Sequence, residues 1–145
     1  MKDLLYLKDE QIKDCIQLLY YAYRETFADP KEVLSKKFFG PAHLRSLNLI
    51  ERYPGISLGE LIFKLKVTKQ SLNRILNDLV KFNIISFEKD EKDSRMKHIY
   101  LTKKGKEIFN EIFSSQKKRI YNALIKSSSL EVNNFKSVLK KIINE

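Results

Sequence analysis

Between residues 57 and 101 the chain repeats a helical apolar spacing twice and then turns to short strand-like runs, an order that few folds accept. Ser57-Leu-Gly-Glu60 has the form of a capping box. The Ser57 hydroxyl takes the Glu60 N–H and the Glu60 carboxylate reaches back to the Ser57 N–H. Leu58, Leu61, Ile62 and Leu65 then fall at i, i+3, i+4 and i+7, one apolar face of a short helix. After a break at Lys66 and Val67, Thr68 is placed to cap a second helix. Its stripe is Leu72, Ile75, Leu76 and Leu79. At about 100° per residue, Gln70, Asn73, Arg74, Asn77 and Lys81 lie on the opposite face. Two short helices joined by a tight turn, the second presenting amides and bases to solvent, describe a helix-turn-helix.

The next stretch fits the same reading. Residues 84–88 and 98–102 have strand composition, and the segment between them, Lys89-Asp-Glu-Lys-Asp-Ser-Arg-Met-Lys97, is charged and almost free of apolar residues. This is a β-ribbon with a solvated, partly basic tip, the wing of a winged helix. A short strand near Ile56 is expected to pair with it. The fold class is therefore mainly α, a winged helix with a small α+β core.

The run VTKQSLNRILNDLVKFNII followed by DSRMKHIYLTKKG resembles the MarR family of bacterial transcription regulators, and the likeness extends upstream through PAHLRSLNLIERYPGISLGELIFKL. In that family an Asp-x-Arg pair at the wing tip, here Asp93 and Arg95, precedes a strand ending in Leu-Thr-x-x-Gly, here Leu101, Thr102 and Gly105. Two positions depart from the pattern. The turn between the helices carries Lys66 and the end of the second helix carries Asn83, where Gly is usual. Asn accepts the left-handed conformation of a helix C-cap, whereas Lys adopts it at a cost of about 1 kcal/mol. The resemblance implies a homodimeric DNA-binding regulator.

Charge points the same way. The net charge is +10 over 145 residues. From Leu61 to Lys106, about a third of the chain, twelve basic residues face five acids, which places +7 of that excess on the motif. A uniform lysine surplus, as AT-rich coding produces, would not concentrate there. A basic cluster of this kind favours a polyanion through counterion release.

Outside the motif, residues 9–27 read as a helix capped by Asp9, with Ile12, Cys15, Ile16, Leu19, Tyr23 and Phe27 on one side and further apolar residues flanking them. That surface is too broad for one neighbour. Asp29-Pro-Lys-Glu32 signals a short helix to about residue 37, with Asp29 as its cap. Pro41 opens the next helix, and Pro54-Gly55 ends it as a turn. Thr102 caps a long helix over 103–126, and Ser128 with Glu131 forms a second capping box for a last helix to about residue 143. The apolar faces of the first and the last two helices exceed what a small winged helix covers, so they are expected to pair with a second copy. The chain is thus expected to form one domain, residues 1–145. Within it, 41–102 are the winged helix-turn-helix, and 9–27 and 103–143 are the dimerisation helices.

Catalysis finds no support. The two histidines, His43 and His98, have no Ser or Cys nucleophile pattern beside them, the four glycines form no phosphate loop, and one cysteine makes no metal cluster. No cofactor and no metal are expected. There is no run of about 18 apolar residues and no signal peptide, so neither membrane insertion nor export is expected, and the cytoplasm is the expected location. Some members of the family sense peroxide through a cysteine in the first helix. Cys15 lies in the first helix but on its apolar stripe, and its expected role is that of a small buried hydrophobe. The family also commonly binds aromatic effectors at a helix junction. Tyr23, Phe27, Phe38, Phe39, His43 and Arg45 either line such a space or form core.

The expected function is a homodimeric, sequence-specific transcription regulator on a pseudo-palindromic operator in double-stranded DNA. Helix 68–82 would enter the major groove and wing 84–102 the minor groove. Gln70 suits a bidentate pair with adenine N6/N7 and Arg74 with guanine O6/N7. Asn73 and Asn77 read bases or phosphates, while Lys69, Lys81, Lys103 and Lys104 position the protein on phosphates. Arg95, oriented by Asp93, suits the negative potential of the minor groove; Thr68 and Lys97 complete the set. Rival readings are a winged-helix protein–protein module, which would have no need of Gln70, Arg74 and Arg95 together, and a non-specific nucleic-acid-binding protein.

Overall fold

The Ser57 Oγ accepts the Glu60 N–H at 3.2 Å and starts helix α4, Leu58–Leu65. In this computed structural model, which describes residues 4–37 and 39–144, it is one of four side-chain caps that the sequence pattern anticipates and that form, at Ser57, Thr68, Thr102 and Ser128. Thr68 Oγ1 accepts the Ser71 N–H at 3.1 Å to start α5, Lys69–Lys81. Ser128 and Glu131 form a reciprocal box at the head of α7, Ser129–Ile142. At Ser57 only half the expected box forms, because Ser57 is also a residue of strand β1, Ile56–Ser57, opposite His98.

The remaining elements are α1 (Asp9–Ala28), α2 (Lys31–Lys36), α3 (Pro41–Arg52), β2 (Ile85–Lys89), β3 (Lys97–Leu101) and α6 (Lys103–Leu124). A short 3-10 turn, Leu5–Leu7, precedes α1. The three strands form an antiparallel sheet in the order β1-β3-β2, with Ile56 opposite Ile99 and Phe87 opposite Ile99 on the other side. The wing strands lie one residue away from the expected 84–88 and 98–102. Ile84 is drawn into the end of α5, where its N–H returns to Leu79 O at 2.8 Å, and Thr102 is drawn into the start of α6. α6 stops at Leu124, two residues before the expected end.

The chain divides into two units, residues 30–113 and residues 1–29 with 114–145. In the first, Leu44, Leu47 and Ile50 of α3, Leu61 of α4, Leu72, Leu76 and Leu79 of α5, Ile84, Ile99, and Ile112 of α6 are buried together. This is the winged-helix core. Both positions where glycine is usual take the left-handed conformation without it: Lys66 has φ 53° and Asn83 has φ 58°. The turn is therefore formed as the motif requires, with Lys66 bearing about 1 kcal/mol of strain.

Thr102 and Gly105 explain the Leu-Thr-x-x-Gly signature. Thr102 Oγ1 donates to Asn83 O at 2.6 Å and accepts the Gly105 N–H at 2.9 Å, while the Thr102 N–H donates to Ile84 O at 3.0 Å. A Cβ on Gly105 would overlap that same Ile84 carbonyl oxygen. Gly105→Ala is therefore expected to force apart the end of α5 and the start of α6, with a stability loss of about 1–3 kcal/mol. Urea denaturation of the two proteins measures it.

In the second unit α1 starts at Asp9 itself, with Lys8 at the N-cap position and no side-chain cap, so Asp9 does not serve as the cap. Nor does Asp29 cap α2. It ends α1, and its carboxylate accepts Arg119 Nε at 2.6 Å and Nη2 at 2.9 Å. A forked, charge-assisted pair outcompetes a single cap bond, and the guanidinium holds the Asp29 carboxyl below its usual value. Gln116 Nε2 adds a bond to Thr26 O at 3.1 Å. Neither α1 nor α7 has a buried residue. Cys15 is exposed, against the expectation that it is core, because the stripe it belongs to is uncovered in the single chain.

Candidate nucleic-acid interface

Helix α5 is amphipathic with little between its two faces. Leu72, Leu76 and Leu79 are buried, whereas Lys69, Gln70, Asn73, Arg74, Asn77 and Lys81 are all exposed. The six side chains thus share the outward side of one helix. Thr68 precedes them, but its hydroxyl is engaged locally: it accepts the Ser71 N–H and donates to Ser71 Oγ at 2.9 Å.

The helix is held by a polar bond with no local signature in the sequence. Gly40 N–H donates to His43 Nδ1 at 3.0 Å, so Nδ1 is an acceptor and the ring proton sits on Nε2. That Nε2–H donates to Asp78 Oδ2 at 2.9 Å, joining the head of α3 to α5. Phe39 stacks on the His43 ring at 4.7 Å and meets Phe82, just beyond α5, edge-on at 5.6 Å. Asp78 lies one turn beyond Arg74 on the same helix, at i+4, the spacing at which a carboxylate pairs with a guanidinium. The His43 bond engages that carboxylate instead, and Arg74 has no ion-pair partner among the described residues. One hint lies in the sequence: Asp78 is the only acid in α5. His43→Ala removes one acceptor and one donor from a buried position, and is expected to lower stability by about 1–3 kcal/mol. Asp78→Asn keeps an acceptor and should come out near the wild type; urea midpoints compare them.

At the wing, Asp93 Oδ1 accepts both the Arg95 N–H at 3.0 Å and Arg95 Nε at 3.1 Å. The Arg95 side chain is braced at its base yet 88% exposed. Lys97 lies with its ammonium 5.7 Å from the Phe87 ring centre, and Lys81 6.0 Å from that of Phe82. Lys103 and Lys104 are exposed in the first turn of α6, which has no acid. Cations at a helix N-terminus oppose the helix dipole, and an anion there would offset both.

The residues considered for an effector belong to both units. Tyr23 and Phe27, rings 4.9 Å apart, belong to α1. Phe39 and His43 are buried in the winged-helix unit, and Arg45 is exposed there. Phe38 lies outside the described residues. Phe39 lines a groove of about 180 Å³ with Lys36, Lys37, Phe82 and Lys104. Among the described residues, no three His, Cys, Asp or Glu side chains are grouped to hold a metal ion, and no helix is long and apolar enough to cross a membrane.

A helix-turn-helix whose second helix is bare on its outer side, backed by a three-stranded sheet that ends in a braced basic ribbon, defines a winged helix of the DNA-binding class. Residues 39–96 match the model of the MarR family. The chain is 36% identical over 97% of its length to the HTH-type transcriptional regulator PetP of Rhodobacter capsulatus, covering 85% of that protein. Its fold is similar to that of a MarR-family transcriptional regulator from Silicibacter pomeroyi (TM-score 0.77, 18% identity, 98% of this chain and 94% of that one). It is also similar to a mutant of MepR from a multidrug-resistant clinical isolate of S. aureus (TM-score 0.76, 18% identity, 88% and 94%). A further S. aureus MepR mutant, bound to an oligodeoxyribonucleotide, shares the fold (TM-score 0.61, 18% identity, 88% and 94%). The chain belongs to the MarR family of transcription regulators, as the motifs at Asp93, Arg95 and Leu101–Gly105 imply.

Proposed function

We propose that the protein acts as a homodimer on a pseudo-palindromic operator in double-stranded DNA, with α5 of each protomer in the major groove and each wing in the adjacent minor groove. The observation that carries this reading is the outward side of α5: Gln70, Asn73, Arg74 and Asn77 are exposed on a helix fixed by buried leucines. Gln70 and Arg74 have the donor and acceptor geometry to read adenine and guanine. Lys69, Lys81, Lys97, Lys103 and Lys104 supply phosphate contacts, and Arg95, braced by Asp93, reaches the minor groove. A MepR mutant of similar fold is bound to an oligodeoxyribonucleotide, which supports DNA as the partner.

Dimerisation is supported by apolar surface the single chain leaves open: Ile12, Ile16 and Leu19 on α1 and Leu130, Phe135, Val138 and Ile142 on α7 are all exposed. Contiguous apolar surface of this kind marks an interaction face. The test is to select genomic fragments with the purified protein. Gel shifts over a range of salt then compare the selected duplex, a random duplex and single strands. The selected duplex should bind about 10³-fold or more tighter than the random one. Equal affinity for the two duplexes would favour a non-specific binder, and no binding to any of them would favour a protein–protein module.

A further inference from the structure

His98, at the base of the wing, has both ring nitrogens facing acceptors. Nδ1 is 2.8 Å from Gly55 O in the turn before β1, and Nε2 is 2.8 Å from Asp90 Oδ1 at the start of the wing loop. A carbonyl and an ionised carboxylate only accept, so each nitrogen must donate and the ring is an imidazolium. The other Asp90 oxygen takes the N–H groups of Lys92 at 3.0 Å and Asp93 at 2.9 Å, which folds the loop. Asp93 in turn holds Arg95. An unbroken set of bonds therefore runs from the Gly55 turn through His98, Asp90 and Asp93 to Arg95.

We propose that the His98 imidazolium is a positioning residue for the wing arginine, so that minor-groove reading by Arg95 is strongest when His98 is charged and weakens as His98 loses its proton. The inference rests on the minor-groove reading of Arg95. The groups that face His98 reinforce the charged form. Asp90 in the wing loop bonds to it, Glu60 of α4 attracts it, and Glu88 of β2 stands opposite it in the sheet. β1 offers only Ser57. On its own strand its neighbours are Lys97 and, two residues on, Tyr100. The bond to Asp90, then that to Gly55 O, raises the His98 pKa above its ordinary value, and the same bond lowers that of Asp90. A group with a raised folded pKa gives its full contribution below its unfolded pKa, about 6.5, and loses it as pH rises through the folded one. The latch is thus closed in mild acid and opens on the alkaline side.

The experiment measures operator affinity from about pH 6 to pH 9 at fixed ionic strength for the wild type, His98→Gln, Asp90→Asn and Arg95→Ala, using flanks rich in A·T. The wild type should weaken by about two- to fivefold per half-site as pH rises, the scale of a partly exposed ion pair. His98→Gln and Asp90→Asn should each sit near the weaker, high-pH level with little pH dependence, and His98→Gln added to Arg95→Ala should cost nothing more. The ring ¹⁵N shifts of His98 in the wild type provide a readout independent of any variant's folding, and should show an imidazolium at about pH 6 that loses its proton as pH rises. If Arg95→Ala binds like the wild type at pH 6, the minor-groove reading itself fails. If Arg95→Ala is weaker but the wild type is flat with pH, or His98 is already neutral at pH 6, the reading stands and the role of His98 is overturned.

Discussion

Replacing Phe135 and Val138 together by Glu should leave the protein monomeric and remove most of its operator affinity. The two positions are i and i+3 on α7, so they share a face, and Ile142 continues it one turn on. In the single chain they are 55% and 54% exposed, and no residue of α7 is buried. A polar residue there costs the isolated chain little, because the side chains it replaces are already largely in water. In a dimer the half of each side chain still in water would contribute about 1 kcal/mol on burial, four such contributions would be lost across a twofold interface, and four carboxylates would be placed in apolar surroundings. Monomers then bind half-sites one at a time and lose the gain of linked binding, which reaches about 10²–10⁴-fold. Sedimentation and operator isotherms on the same samples measure both effects. A double variant that sediments as a dimer and holds the operator like the wild type would place the interface on some other surface.

The contrast between α7 and α5 shows what the sequence carries and what it does not. Both helices have an apolar stripe at helical spacing, and both are started by caps that lie within three residues of the groups they satisfy. Such local signals are legible: the caps at Thr68 and Ser128, the glycine-like turns at Lys66 and Asn83, and the outward set on α5. Whether a stripe is buried by its own chain is not local, and so Cys15 reads as core while its helix is uncovered. Bonds between distant residues are hidden for the same reason. Asp29 has every mark of an N-cap until Arg119, 90 residues later, takes its carboxylate. His43 reads as a candidate pocket residue until the approach of α3 to α5 gives it Asp78, 35 residues away. Arg95 and Asp93 are visible as a pair. His98 acquires its role only when β1, β2 and β3 set it beside Gly55 O and Asp90.

That division bears on how the protein would distinguish sequence from mere polyanion. Arg74→Ala should cost about 1–3 kcal/mol at each half-site and relax preference at one base pair of each. On an operator with two half-sites about 10 bp apart, the losses combine into the largest single-residue effect on specific binding. The structure supplies two reasons to single out Arg74. It stands among the exposed residues of α5, and the one carboxylate on that helix, Asp78, is bonded to His43. Gln70→Ala should behave in the same way at a neighbouring base pair. Lys104→Ala should instead weaken operator and scrambled duplex about equally and reduce the salt slope by about one for each phosphate left without its lysine, the result expected if the lysines at the start of α6 act, as proposed, on the DNA backbone. Isotherms at several salt concentrations on both duplexes separate the two behaviours. If Arg74→Ala lost affinity equally on operator and scrambled DNA, α5 would be positioning the protein on its phosphates, and sequence would have to be read elsewhere.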